Sequence, residues 1–355
     1  MLLCLILGAC SAPPAGDDSA TRDLRAAPER IVAADLPSKD VGGPDLGAAD
    51  RVRVDGKART TFVAVTFNTG TTADTSTQAP ISDQYYGNGL AWTQAVNDTR
   101  SFFAQVDADV VVFQEIFYLG DCAGIPASAQ LGYLCETWKP GDPPSVAQFV
   151  LGPGWQVACH PGKPDKCAAV NKRFGTFHGC VTDYCATGLT GFTVTDCGKG
   201  ARVARGVIDR VEGGTLTLVS VHGSSGITSD DQGCRVKQVG QVFVDLGDGS
   251  PGANGTTNLI MGDLNTDPVR MAFLDKSAAE WSSFVGPGKK FHFITDVGLA
   301  ALPTYAGLFN IDHVISDALV GSCWTAGATP GHPPVIQTPY FDHKPAVCTI
   351  DRSKP

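Results

Sequence analysis

Three observations predict a mixed α/β layered fold. Short apolar, β-branched segments alternate with longer stretches of helical periodicity. Four of the apolar segments end abruptly in polar residues, at Asn68, Glu115, His222 and Asp263. Hydrophobic residues make up 43 % of the 355-residue chain, enough for a sizeable core. Function tends to collect at one end of such sheets, which directs attention to those four strand ends.

The fold starts near Arg59. Thr61–Phe67 (TFVAVTF) is a strand by its β-branched and aromatic content, and it ends at Asn68-Thr69-Gly70. Gly89–Val106 carries a loose apolar stripe of Leu90, Trp92, Val96, Phe102, Phe103 and Val106, the spacing of a helix. Asp109–Phe113 is a continuous apolar strand ending at Gln114-Glu115. Residues 117–200 hold several Gly and Pro with little pattern and read as an elaborated insertion within one domain, 56–355. Arg202–Val211 and Thr215–Val221 form a hairpin joined by Glu212-Gly213-Gly214. Arg235–Leu246 is a helix with Val236, Val239, Val242 and Phe243 on one side. Leu259–Gly262 is a buried strand, and a short helix follows Pro268, which suits a first helical turn. Ile311–Ile315 and Ala346–Ile350 are the last strands.

The formal charge of −9 argues against a protein that lives on nucleic acid through a broad basic surface. It leaves a nuclease open, because a metal ion supplies local positive charge. The N-terminal MLLCLILGAC has an apolar run too short to span a bilayer. Leu7-Gly8-Ala9-Cys10 resembles a bacterial lipobox, which makes 1–10 a lipoprotein-type signal with the lipid on Cys10; the competing reading is a plain signal cut near Ala12. No Lys or Arg precedes the run, so the true start lies upstream or the signal is atypical. Residues 11–55, rich in Ala, Pro, Asp and Gly, read as a flexible tether. Of the twelve cysteines, ten follow the tether, an even number that implies up to five disulfides in an exported chain. The alternative, a zinc site, lacks finger spacing at Cys159-x7-Cys167 and Cys180-x4-Cys185.

The stretch Asn258–Pro268, NLIMGDLNTDP, delivers a carboxylate and an amide to a sheet edge; Asp263 and Asn265 share one face in extended backbone. Such a pair suits a site handling both a metal ion and a phosphate oxygen. Five further pieces accompany it: TFN at 66–68, FQE at 113–115, SVH at 220–222, IDHV at 311–314 and FDHKPAV at 341–347. Together, and in this order, they resemble the endonuclease/exonuclease/phosphatase superfamily, which includes deoxyribonuclease-I-like nucleases, neutral sphingomyelinases and inositol-phosphate phosphatases.

The resemblance implies a four-layered α/β sandwich, two mixed β-sheets packed face to face with helices outside. It implies hydrolysis of a phosphoester with Mg²⁺, or Mn²⁺ or Ca²⁺ in its place. By the same analogy His343 is the general base oriented by Asp312, Asp263 orients or activates water, Asn265 donates to a phosphate oxygen, and His222 donates from the opposite side. Glu115 holds the metal, Asn68 lies beside it as ligand or phosphate contact, and Asp342 holds the metal or His343. Phe341 departs from the Ser or Thr that family members often carry there. The acidic partner that nucleases give the first histidine is not evident, with Asp165 and Asp183 as candidates.

His160, His178, His292 and His332 match no motif and read as structural or surface residues, Arg205 and Asp296 as structural, and Thr304 as a loop brace. The leading function is a metal-dependent phosphodiesterase, monomeric, exported, and held at the cell surface or secreted. Lys166, Lys172, Arg173, Lys199, Arg202 and Arg205 are close enough in sequence to line a nuclease cleft for nucleic acid. A sphingomyelinase acting on a phospholipid headgroup needs exposed apolar loops, for which Phe117-Tyr118 and Trp138 are candidates. The rival of another class is a non-catalytic, lipid-anchored binding module; the joint presence of Asn68, Glu115, Asp263, Asn265 and His343 speaks against it.

Overall fold

Two mixed sheets, of six and seven strands, face each other in a computed structural model that describes residues 59–71, 82–87, 89–335 and 340–352. The export signal and tether read from the sequence lie outside these residues. In chain order the first elements are β1 (Thr61–Asn68), α1 (Ser82–Tyr86), α2 (Thr93–Val106), β2 (Val110–Gln114), α3 (Ala127–Gln130) and α4 (Val146–Leu151). Then come β3 (Trp155–His160), β4 (Lys163–Asn171), β5 (Gly175–Phe177), β6 (Thr190–Gly191), β7 (Val203–Arg210) and β8 (Thr215–His222). The last are α5 (Ser229–Phe243), β9 (Asn258–Asp263), α6 (Lys276–Phe284), β10 (His292–Phe293), β11 (Asp312–Ser316), β12 (Gly321–Thr325) and β13 (Ala346–Asp351).

The first sheet runs β12-β13-β1-β2-β4-β3 and the second β10-β11-β9-β8-β7-β5, with β6 on β7. Parallel pairing occurs at β1/β2 and β8/β9, and antiparallel pairing at the other named pairs. Strand alternation divides the apolar residues into three layers. Ala64, Val112 and Ala168 of the first sheet meet Leu218, Met261 and Val314 of the second in the middle core. Val65, Val111 and Phe113 face outward and pack with Phe102 and Phe103 of α2 and Val146 and Val150 of α4. Val219, Ile260 and Ile315 face outward on the other side, against Val239 and Val242 of α5 and Trp281 of α6. The four-layered arrangement expected from the sequence is the one observed.

Three element boundaries differ from expectation, each for a local reason. The first long helix begins at Thr93, because Leu90 and Trp92 form bridges to Ile116 and Tyr133. α5 begins at Ser229 under a reciprocal capping box, in which Thr228 Oγ1 accepts from the Asp231 amide and the Asp231 carboxylate accepts from the Thr228 amide. No helix follows Pro268 directly; turns continue to Leu274, and α6 starts after Asp275, whose carboxylate accepts from the Ser277 amide at 2.8 Å.

The cysteine-rich stretch, read as an insertion, supplies β3 and β4 to the first sheet and β5 to the second. All ten cysteines among the described residues are paired, which removes the zinc alternative: Cys122–Cys135, Cys159–Cys167, Cys180–Cys185, Cys197–Cys234 and Cys323–Cys348. Cys159–Cys167 joins β3 to β4 and Cys323–Cys348 joins β12 to β13, each directly across its strand pair. Five disulfides fit an extracellular or exported protein. Among the described residues no helix is long and apolar enough to cross a membrane.

Candidate active site

Above the middle core the alternation that buries Ala64, Val112 and Ala168 brings Asn68, Gln114 and Lys166 onto the same inner face at the end of the first sheet. Asn68 pairs in register with Gln114, and the Phe113–Cys167 pair places Lys166 beside Gln114. The facing sheet does the same with Asp312, Asp263 and His222, which are paired in that order, while Arg202 follows through the bond from the His222 amide to its carbonyl. Two polar rows therefore face each other across the mouth of the sandwich.

The end of β9 is shaped by its glycine. Gly262 has φ 149°, and a Cβ there would lie 1.8 Å from the Val221 carbonyl oxygen. No other residue fits this close approach of β8 to β9. Gly262→Ala is expected to lower stability by about 3 kcal/mol through overpacking and backbone strain; thermal unfolding checks this. The strand ends at Asp263, so the expected sharing of a face by Asp263 and Asn265 in extended backbone is replaced by a turn. Asn265 takes a left-handed conformation, φ 51°, which Asn tolerates. Its amide N–H donates to Asp263 Oδ1 at 2.7 Å, and Nδ2 donates to Asp263 Oδ2 at 3.1 Å and to Gly223 O at 3.0 Å. Both side-chain hydrogens of Asn265, read from the sequence as a donor to a phosphate oxygen, are thus engaged within the chain.

Asp312 and His343 meet at the other end of the row. His343 Nδ1 lies 2.8 Å from Asp312 Oδ2, and both residues are buried. Thr304 Oγ1 accepts from the Ile311 and Asp312 amides, so it braces this strand start. His343 Nε2 points toward Asp263, 3.8 Å from Oδ2. Burial disfavours the imidazolium, but the carboxylates of Asp312, Asp263 and Asp342 outweigh it and raise the ring to about 10. Burial pushes the Asp263 carboxyl up to about 7. Asp263, Asp312 and His343 each offer a donor atom, all within 4.8 Å of one another.

Across the mouth, three oxygens converge over Gly70. A Cβ on that residue would lie 2.6 Å from Glu115 Oε2, 3.0 Å from Asp342 Oδ1 and 3.2 Å from Asn68 Oδ1. Two carboxylates and an amide oxygen are a hard donor set, the kind that suits Mg²⁺. Asp342 Oδ1 is buried with no hydrogen-bond partner among the described residues. Glu115 stands at φ 55°, a costly conformation held in place by Thr69, whose hydroxyl donates to the Gln114 and Glu115 carbonyls at 3.0 and 2.9 Å. Burial and the neighbouring Asp342 carboxylate both raise the Glu115 carboxyl. Asn68 Nδ2 donates to Asp263 Oδ2 at 3.0 Å and reaches Glu115 Oε1 at 3.4 Å, so it joins the two walls. Phe341 packs edge-on to Phe67 and Tyr340.

His222 lies between these groups, its Nε2 3.6 Å from Glu115 Oε1 and 3.7 Å from Asp263 Oδ2. Neither ring nitrogen has a hydrogen-bond partner among the described residues. Burial, then Lys166 and Arg202, hold the ring well below its usual pKa and therefore neutral. Neither acidic candidate for orienting it does so: Asp165 pairs with Lys166 at 2.6 Å, and Asp183 pairs with Lys172 at the surface.

The expected basic cluster separates. Arg173 binds Asp107 and Asp109, Arg205 binds Asp248, and Lys199 is exposed; Lys166 and Arg202 alone of the six enter the polar rows. His160 bonds Ser220 and the Ala201 carbonyl, His178 bonds Asp209, His292 bonds the Leu319 carbonyl, and His332 stacks on Trp324. Phe117 is buried and Trp138 is half-buried in the outer core, so neither is an exposed apolar loop residue. Sequence reasoning missed Gly70, whose signal was only the Asn-Thr-Gly strand end. It also missed Gln114, and Tyr305, whose ring lies 4.6 Å from that of His343.

The same architecture is found in an endonuclease/exonuclease/phosphatase protein of Beutenbergia cavernae DSM 12333, with a TM-score of 0.51 at 14 % identity over 82 % of this chain and 72 % of that one. The chain has that fold. A 3′ phosphatase from Neisseria bound to product DNA hairpin gives a TM-score of 0.45 at 13 % identity, covering 82 % of this chain and 99 % of that one. An AP endonuclease from Archaeoglobus fulgidus gives 0.44 at 11 % identity, covering 81 % and 98 %. No family model and no curated protein matches the sequence.

Proposed function

We propose that this chain belongs to the endonuclease/exonuclease/phosphatase superfamily and is a metal-assisted phosphoester hydrolase whose substrate is a phosphodiester. The observation that carries this reading is the facing of two unlike walls: the Asp312–His343 pair on one side, and the Glu115, Asp342 and Asn68 oxygens over Gly70 on the other. A carboxylate–imidazole pair moves a proton at Nε2 while the carboxylate fixes the tautomer. Glu115, Asp342 and Asn68 would hold Mg²⁺, Mn²⁺ or Ca²⁺, which when bound supplies positive charge to a phosphoryl oxygen. Asp263, between the walls, orients the attacking water toward His343, and Asn265 positions Asp263. His222, neutral and unpartnered, donates to a phosphate oxygen. A monomer suffices, since every group comes from one chain.

The test is a substrate panel with purified residues 56–355: bis-p-nitrophenyl phosphate, DNA, RNA, sphingomyelin and inositol phosphates, with Mg²⁺ or Mn²⁺ and with EDTA. Hydrolysis that EDTA stops is expected. Failure on every substrate with several metals would leave a non-catalytic binding module as the better account.

A phospholipid headgroup is a second reading, favoured by exposed apolar side chains on the loops leaving β9 and entering β11. Phe273, Leu274, Leu299 and Leu308 are 101, 77, 80 and 62 % exposed. Arg270 ties the two loops by donating to the Leu299 and Ala301 carbonyls. Preferential hydrolysis of sphingomyelin vesicles over DNA would decide for it. We also propose a lipid at Cys10; Cys10→Ser should release the protein from membranes, and retention would rule out the anchor.

A further inference from the structure

Helix α5 packs Val239 and Val242 on the second sheet, yet beside them it buries three polar side chains, Arg235, Gln238 and Gln241. An apolar stripe needs no polar partners, whereas each of these buried groups does. The first two find theirs in one residue, Ser224. Gln238 Oε1 accepts from the Ser224 amide at 2.9 Å, and Gln238 Nε2 donates to Ser224 Oγ at 2.8 Å. Arg235 donates through one terminal nitrogen to the Ser224 carbonyl at 2.6 Å and to the Gly226 carbonyl at 2.8 Å. Its other two nitrogens donate to Asp275 and Ser277 at the start of α6. The amide, hydroxyl and carbonyl of Ser224 are therefore all held by α5. Gln241, one turn further on, donates instead to the Phe192 and Leu246 carbonyls.

Ser224 follows Gly223, which reaches the site through both of its backbone groups. The Gly223 amide donates to the Asp263 carbonyl at 2.8 Å, and its carbonyl accepts from Asn265 Nδ2 at 3.0 Å. Asn265 in turn donates twice to the Asp263 carboxylate, at 2.7 and 3.1 Å. A Cβ on Gly223 would lie 2.3 Å from the Leu264 carbonyl oxygen, so the turns that follow β8 and β9 are in direct contact there. A small shift of the Gly223 peptide therefore moves Asn265, and with it the carboxylate. We propose that Gln238, with Arg235 on the other side of Ser224, is a positioning residue for Asp263, acting through Ser224, Gly223 and Asn265. The proposal rests on the hydrolase reading, in which Asp263 orients the attacking water. It adds that this alignment is set from the helix layer outside the sheet, and small misplacements of a reacting group cost large factors in rate.

The test pairs Gln238→Leu with Gln241→Leu in the full chain. Each removes two buried hydrogen bonds from the same helix, so both should lower the melting temperature by about 4 °C. Only Gln238→Leu should reach the site. Its kcat on bis-p-nitrophenyl phosphate should fall about tenfold with KM within about twofold of wild type, while Gln241→Leu keeps the wild-type kcat. Side-chain amide hydrogen exchange, followed by heteronuclear NMR, reads the same effect without turnover. The Asn265 Nδ2 hydrogens should exchange about tenfold faster in Gln238→Leu than in wild type or Gln241→Leu. Gln238→Glu keeps two acceptors for the Ser224 amide and hydroxyl, and it should restore both readings. If Gln238→Leu does not fold, Ser224→Ala, which deletes only the hydroxyl contact, should show the same two changes at about threefold. Equal effects of the two Leu variants, unchanged Asn265 exchange in Gln238→Leu, or faster exchange with unchanged kcat would overturn the positioning role. Absence of turnover in wild type, with faster Asn265 exchange in Gln238→Leu alone, would reject the hydrolase reading and leave the link from α5 to Asn265 standing.

Discussion

His343→Ala lowers kcat on bis-p-nitrophenyl phosphate by about 10³-fold, the range for loss of a positioned acid–base group. The substitution also leaves the fully buried Asp312 carboxylate without its 2.8 Å partner, so stability falls by about 3 kcal/mol as well. Asp312→Asn separates the two effects. It keeps His343 and removes the carboxylate that raises the ring, so kcat falls while the alkaline part of the pH dependence of stability shrinks. The sign follows from the two groups' folded values. In the metal-free protein His343 is raised to about 10 and Asp263 to about 7. In both cases the folded chain binds its proton more tightly than the unfolded chain. The contribution of His343 is full below its ordinary value near 6.5 and is lost as pH rises through about 10; that of Asp263 is lost as pH rises from near 4 to about 7. The melting temperature in EDTA should therefore fall as pH rises across both windows. A melting temperature that climbs with pH there would show that these protons are not held as the geometry requires. Divalent cations should lower the His343 value, since positive charge enters near Asp342; the ring's NMR titration with and without Mg²⁺ reads this directly.

Glu115→Gln acts in opposite directions on function and stability. It removes one of the two carboxylates over Gly70, so divalent-ion affinity and kcat should each fall on the order of 10²-fold or more. In the metal-free protein it also relieves the crowding of Glu115 against Asp342, which burial and like charge both disfavour. The melting temperature in EDTA should rise by about 2 °C. Added Mg²⁺ should then raise the melting temperature of wild type but not of the variant. If the variant keeps full activity and its Mg²⁺ response, the donors over Gly70 are not the metal site, and the Asp263, Asp312 and His343 atoms within 4.8 Å of one another become the alternative. A gain in stability on removal of a functional group is the usual mark of a strained site.

Much of this was legible in the sequence because the site lies at strand ends. TFVAVTF and LVSV stop directly at Asn68 and His222, VVVF and NLIM stop one residue short of Glu115 and Asp263, and simple alternation assigns the face of the strand residues. The Asp312–His343 pair was legible only by resemblance, since thirty-one residues separate the two and no local pattern links them. Gly70 was missed because its part is an absence, a missing Cβ that leaves room for three oxygens. Gln114 was passed over beside Glu115; an amide at a strand end reads as ordinary until the structure shows it buried and unpaired. The strands of residues 155–171 were hidden by their cysteines, lysines and glycine turn, which dilute the apolar signal of what are two strands of the first sheet. Asn265 was read as a donor to a phosphate oxygen; spacing alone does not show that Asp263 and Gly223 take up its side-chain hydrogens.

The two facing rows are assembled from residues scattered between positions 68 and 312, three from one sheet and four from the other, and His343 joins them from the loop before β13. No contiguous fragment contains both walls. Partial structures of either sheet alone carry a carboxylate cluster or a histidine, but not the opposition of the two. On the proposed hydrolase reading, competence to cleave requires both sheets to be in place, in a topology dominated by distant pairings. On that reading an incomplete chain holds no assembled site with which to attack a phosphate ester.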